Sequence, residues 1–112
     1  MTDALGQTLA AVADPTRRAI IDQLARGPAR VTDVAAPFAM SLNAISKHLK
    51  VLEKAGVVRR ARRGREHLLA LDAAPLREVA RWAHRYERYW TERLDRLEKF
   101  FADINKNKES KR

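Results

Sequence analysis

Between Ser41 and Arg65 the chain switches hydrophobic period once, and that switch constrains its fold more than any other feature. From Ser41 to Gly56, Leu42, Ile45, Leu49 and Leu52 fall on one face at helical spacing. Ser41 suits an N-cap and Gly56 a C′ position, so both helix ends are marked. Asn43, Lys47, Lys50 and Lys54 project from the opposite face. After Gly56, Val57-Val58 and His67-Leu68-Leu69-Ala70-Leu71 read as two strands, with Arg63-Gly64 as the hairpin turn. Five arginines lie between positions 59 and 65. A helix anchored by leucines behind, with amide and ammonium donors in front, suits a DNA major groove. An arginine-tipped hairpin suits a minor groove or its flanking phosphates.

The flanking segments supply the scaffold. Residues 3–13 form an amphipathic helix with Leu5, Leu9 and Val12 on one side, weakened by Gly6. Asp14-Pro15 starts a second helix, Asp14 as N-cap and Pro15 at the first helical position, with Ala19, Ile20 and Leu24 as its buried stripe. Arg26-Gly27-Pro28 ends it. Thr32 is expected to cap a short third helix carrying Val34, Ala35 and Phe38, made irregular by Pro37. The Ser41 helix follows at helix-turn-helix spacing. Asp72-Ala73-Ala74-Pro75 then breaks the strand and caps a long final helix over about 76–104. Six of the seven aromatics lie on it. A stripe of Ala83, Tyr86, Trp90, Leu94, Leu97 and Phe101 left bare would be an aggregation liability. A two-fold partner covering it, with Leu5, Leu9 and Val12 as second component, is therefore expected. The architecture is mainly α, with about five helices and a two-stranded hairpin. Residues 1–104 form one DNA-binding and dimerisation domain, and 105–112 a flexible basic tail.

Charge narrows the partner. The net charge is +9, and from 41 to 71 eight cations face two acids. Clustering of this kind points to a polyanion, because neutralised phosphates release counterions. No apolar run approaches the roughly 20 residues of a bilayer span. No signal pattern is evident, so a cytoplasmic location without membrane attachment is expected. Absence of cysteine removes disulfides, thiolate ligands and cysteine nucleophiles together.

Asn43, Ser46 and Lys47 are the base-edge candidates, Asn43 for adenine and Lys47 for guanine. Ser41 places its helix N-terminus near phosphate. Lys50 and Lys54, further along, face phosphates, as do Arg60, Arg62, Arg63 and Arg65 of the hairpin. His48 sits at the boundary of the buried face, open to packing or to base contact. His84 and Glu87 share a helical face, but two ligands per chain complete a tetrahedral metal site only if a dimer supplies both pairs. A surface or interface hydrogen bond is their expected role, and no metal or other cofactor is expected. No clustered catalytic constellation or glycine-rich phosphate loop emerges, so the chain does not read as an enzyme.

Three stretches, Leu9-Ala10-Ala11-Val12-Ala13-Asp14-Pro15-Thr16-Arg17-Arg18-Ala19-Ile20-Ile21, the run from Ser41 to Leu52, and Glu53-Lys54-Ala55-Gly56-Val57-Val58, resemble the ArsR-type family of winged helix-turn-helix transcriptional regulators. The match covers about residues 4–104. It implies a homodimer that binds near-palindromic, double-stranded operator DNA as a repressor, autoregulatory in some branches. The family's DNA-reading positions carry over onto Ser41, Leu42, Asn43, Ser46 and Lys47, and its wing onto residues 59–65. Metal-sensing members place cysteines where this chain has Val31-Thr32-Asp33-Val34. Others bind zinc through Asp-x-His and His-x-x-Glu halves, and Asp72-x-Ala74 lacks the histidine. The chain thus resembles the metal-independent, SdpR-like branch. Two other readings stay open: a sequence-neutral architectural DNA binder, and a metal-responsive repressor with an atypical interface site.

Overall fold

The computed structural model describes residues 3–110, with side chains up to residue 107. The elements run α1 (Ala4–Val12), α2 (Pro15–Leu24), β1 (Ala29–Arg30), α3 (Val31–Ala35), α4 (Leu42–Lys54), β2 (Val58–Arg63), β3 (Glu66–Leu71) and α5 (Ala74–Ser110). Two compact units, Met1–Val79 and Ala80–Arg112, divide the chain.

In the first unit, capping sets the starts of the first two helices. Asp3 accepts from Gly6 N at 2.6 Å and Asp14 from Arg17 N at 3.0 Å, each filling an orphan donor of its helix. Pro15 opens α2, as expected. The core gathers Ile20 and Leu24 of α2, Val34 of α3, Ile45, Leu49 and Leu52 of α4, then Val57, Val58 and Leu69. Thr8 and Ala11 are the buried residues of α1, which leaves Leu5, Leu9 and Val12 half-buried.

Several local expectations need correction. Thr32 is not the cap of α3; Arg30 occupies that position in extended geometry, without a side-chain cap bond, and Val31 starts the helix. The reason is a strand the sequence did not reveal. Ala29 and Arg30 pair antiparallel with Leu69 and Leu68, so the hairpin is part of a three-stranded sheet of order β1-β3-β2. Phe38 lies beyond the end of α3 but still packs against the core. The hairpin loop is Gly64-Arg65, one residue later than expected, because Arg63 pairs with Glu66. Gly64 takes φ +65° there, the positive value a tight two-residue hairpin demands at its first loop position. Leu42 does not join the leucine face: it is 55% exposed, while Ile45, Leu49 and Leu52 are fully buried.

The second unit is the remainder of α5. At 37 residues the whole helix is about 55 Å long. It ends beyond the expected Ile104, at Ser110, and nothing in Asn105-Lys106-Asn107-Lys108-Glu109 breaks helical geometry. Residues 111–112 of the expected tail lie outside the described residues. Side chains from 80 to 107 are exposed, including Trp82, Tyr86, Trp90, Leu94, Leu97 and Phe101. Edge-on ring pairs link Trp82 to Tyr86, Tyr89 to Trp90 and Phe100 to Phe101.

Candidate nucleic-acid interface

Helix α4 is held at both ends by local geometry. Ser41 Oγ accepts from Ala44 N at 3.1 Å. At the other end Gly56 takes φ +77°, Gly56 N donates to Glu53 O and Val57 N to Leu52 O, both at 3.0 Å. That pair of bonds is a Schellman motif, closed by the buried contact partners Leu52 and Val57. The helix therefore stops abruptly and hands the chain directly to β2. With Ile45, Leu49 and Leu52 inward, Asn43, Lys47, Lys50 and Lys54 are exposed on the opposite face, and Ser46 is half-buried at its flank.

The arginines of the hairpin divide into two groups. Arg59 donates to Asp72 at 2.8 Å and Arg60 to Glu53 at 2.7 Å, the latter joining β2 to α4. Asp72 is held below the ordinary aspartate range by the Ala74 backbone N–H and then by Arg59. Arg62 folds back onto Gly64 O at 3.2 Å. Among the described residues, Arg63, Arg65, Lys47, Lys50 and Lys54 have no ion-pair or hydrogen-bond partner for their side chains. These cations are free to meet an anion without first breaking an internal contact.

Three residues that the sequence reading did not single out brace this surface. Arg30 bridges Asp33 on α3 at 3.1 Å and Glu66 on β3 at 3.2 Å, and Asp33 first, then Glu66, raises its pKa. Arg17 donates to Ala11 O at 2.6 Å and Ala10 O at 3.1 Å, both in the last turn of α1. Its third contact, at 3.3 Å, is His48 Nδ1 on α4. A guanidinium only donates, so His48 Nδ1 accepts. Arg18 donates to Val12 O and Ala13 O at 2.8 and 2.9 Å. His48, half-buried, is thus tied to α2 through its Nδ1. Arg17 reaches His48 across 31 residues and Arg30 reaches Glu66 across 36, and no local pattern announces either contact.

His84 Nδ1 lies 2.9 Å from Glu87 Oε2 on the exposed helix, the hydrogen-bonded pair expected there. Among the described residues no group of three metal-ligating side chains converges.

A short helix, a turn, a basic second helix and an antiparallel hairpin define a winged helix-turn-helix protein. A family model described as a helix-turn-helix domain matches residues 12–61. The transcriptional regulator Rv2034 of Mycobacterium tuberculosis is 39% identical over 84 residues, 75% of this chain and 76% of that protein. The transcriptional repressor SdpR of Bacillus subtilis is 36% identical over 72 residues, 64% of this chain and 80% of that one. A crystal structure of an ArsR family transcriptional regulator, RHA00566, superposes with TM-score 0.74 at 37% identity, over 80% of this chain and 98% of that chain. The homodimeric winged helix-turn-helix domain of Mb0332 from Mycobacterium bovis gives TM-score 0.62 at 26% identity, over 75% and 81%. The chain belongs to the ArsR family of transcriptional regulators. Its family role is transcriptional control through DNA, not catalysis.

Proposed function

We propose that the chain is a cytoplasmic homodimer that represses transcription by occupying a near-palindromic operator, its own promoter among the candidate targets. The observation that carries this reading is the face of α4. Asn43, Lys47, Lys50 and Lys54 are exposed on it, beside a hairpin whose Arg63 and Arg65 are uncommitted. In this reading Asn43, Ser46 and Lys47 meet base edges, while Ser41, Lys50, Lys54, Arg62, Arg63 and Arg65 meet phosphates. Arg60 keeps its bond to Glu53 and sets the angle of the wing. His48 acts through α4 rather than on DNA. The dimer covers the α5 stripe from Ala83 through Tyr86, Trp90, Leu94 and Leu97 to Phe101, and Leu5, Leu9 and Val12 are further interface residues. Support for it comes from the bare aromatics and from the homodimeric Mb0332 domain. Two reading helices would then enter successive major grooves about 34 Å apart.

Selection of bound duplexes from a random-sequence pool tests the proposal. The expected product is a two-fold symmetric consensus. On that duplex Lys47→Ala is expected to cost about 1–3 kcal/mol and relax base preference. Arg63→Gln should weaken all sequences alike and lower the salt slope by about one per protomer. Uniform binding of the whole pool would instead support the sequence-neutral architectural reading. A consensus bound more weakly after zinc addition, with recovery on chelation, would support a metal-responsive repressor.

A further inference from the structure

The first residue of the DNA-facing helix is a leucine that the core does not use. Leu42 starts α4, yet its side chain is 55% exposed and absent from the cluster that buries Ile45, Leu49 and Leu52. It lines a concavity of about 350 Å³ shared with Thr32, Arg60, Arg65, His67 and the Arg30–Glu66 pair, whose charges offset each other. A lone exposed leucine is ordinary on a protein surface. This one stands at the entry of a basic helix, next to Asn43 and beside the uncommitted Arg65. An occupant suited to both features carries an apolar group on a polyanionic frame. Duplex DNA has one such group on its major-groove edge, the 5-methyl of thymine.

We propose that Leu42 is a specificity-determining residue that packs against a thymine methyl in each operator half-site. The assignment rests on the operator-binding reading above and names which base feature one residue of that surface reads. Hydrogen-bond donors along the helix identify base edges, whereas Leu42 distinguishes thymine from cytosine by shape and by exclusion of water. Its neighbour Asn43 is placed to pair with an adenine, so the two together favour adjacent A·T pairs.

The test uses the full-length protein and the duplex selected from a random pool. Each thymine is replaced singly by uracil, which deletes the methyl and leaves every hydrogen-bonding edge intact. One thymine per half-site is expected to lose about fourfold in affinity on replacement, the value of one buried methyl. Leu42→Ala is expected to bind the thymine duplex more weakly by a similar factor and to ignore the replacement. Leu42→Met, which keeps an apolar contact, should retain the sensitivity. Leu42→Gln gives the same reading as alanine should Leu42→Ala fold poorly. The assignment is overturned if no replacement weakens the wild type, or if the sensitive thymine loses the same factor with Leu42→Ala. Either result leaves a consensus duplex still bound, so the operator reading survives it. A pool that yields no consensus overturns both together.

Discussion

The guanidinium of Arg17 reaches acceptors on two different helices, the end of α1 and His48 of α4, and so fixes the reading helix against its neighbour. The same short segment carries a titration effect. Asp14 is held below the ordinary aspartate range, chiefly by the Arg17 backbone N–H, against some desolvation and with help from the Arg17 charge. A depressed folded-state value means that the charged carboxylate favours the fold. Its contribution is complete above the unfolded-state value, near pH 4, and fades as the pH falls through the lower folded-state value. Asp14→Asn keeps an acceptor for the cap but does not titrate. The stability gap between wild type and this variant should therefore be constant from about pH 7 to pH 5 and close below about pH 4. Urea unfolding at a series of pH values measures it; a gap that stays constant to pH 2.5 or so would remove the charge from the account.

At the scale of elements, α4 depends on two end devices whose costs differ in kind. Ser41→Ala removes an N-cap acceptor and is expected to lower stability by about 1 kcal/mol. Gly56→Ala should cost about 1–2 kcal/mol through the left-handed backbone alone. Its added Cβ would meet only Pro75 Cγ, at an ordinary 3.7 Å, so no clash contributes. Gly56→Asn should recover part of the loss, since asparagine tolerates that conformation better. Chemical denaturation ranks the three variants. Both end devices were legible in the sequence because a cap and a Schellman turn are written within a few consecutive residues. The same holds for Asp14-Pro15 and for the long helix. Strand β1 was not legible: two residues carry no period, and their partners Leu68 and Leu69 lie far along the chain. Recruiting Arg30 into that strand moved the start of α3 and displaced Thr32 as its cap. Leu42 obeyed the helical period yet stayed outside the core, because periodicity assigns a face and not the depth of packing on it. His48 was ambiguous for a similar reason, since its partner Arg17 is 31 residues away.

For the whole molecule, the bare face of α5 makes assembly the property to measure. Leu94 is 56% exposed midway along the stripe, and Trp90 54%. Leu94→Glu places like charges opposite one another at a two-fold contact, and is expected to give a folded monomer by sedimentation. Operator affinity should fall at least tenfold with it, because the two half-sites are no longer bound as a unit. A variant that stays dimeric with unchanged affinity would move the interface elsewhere. The wing bears on assembly in a different way. Because β3 is the central strand, β2 forms one margin of the sheet, with its outer backbone amides and carbonyls lacking a strand neighbour. Four of its six residues are arginines. Such a margin is a template for stacking against another copy, and repulsion between guanidinium groups discourages it. Under the proposed function, Arg62 and Arg63, assigned there to phosphates, thus also keep the sheet from growing. Neutralising several of them to tune affinity would trade binding for precipitation, whereas arginine-to-lysine changes would preserve solubility.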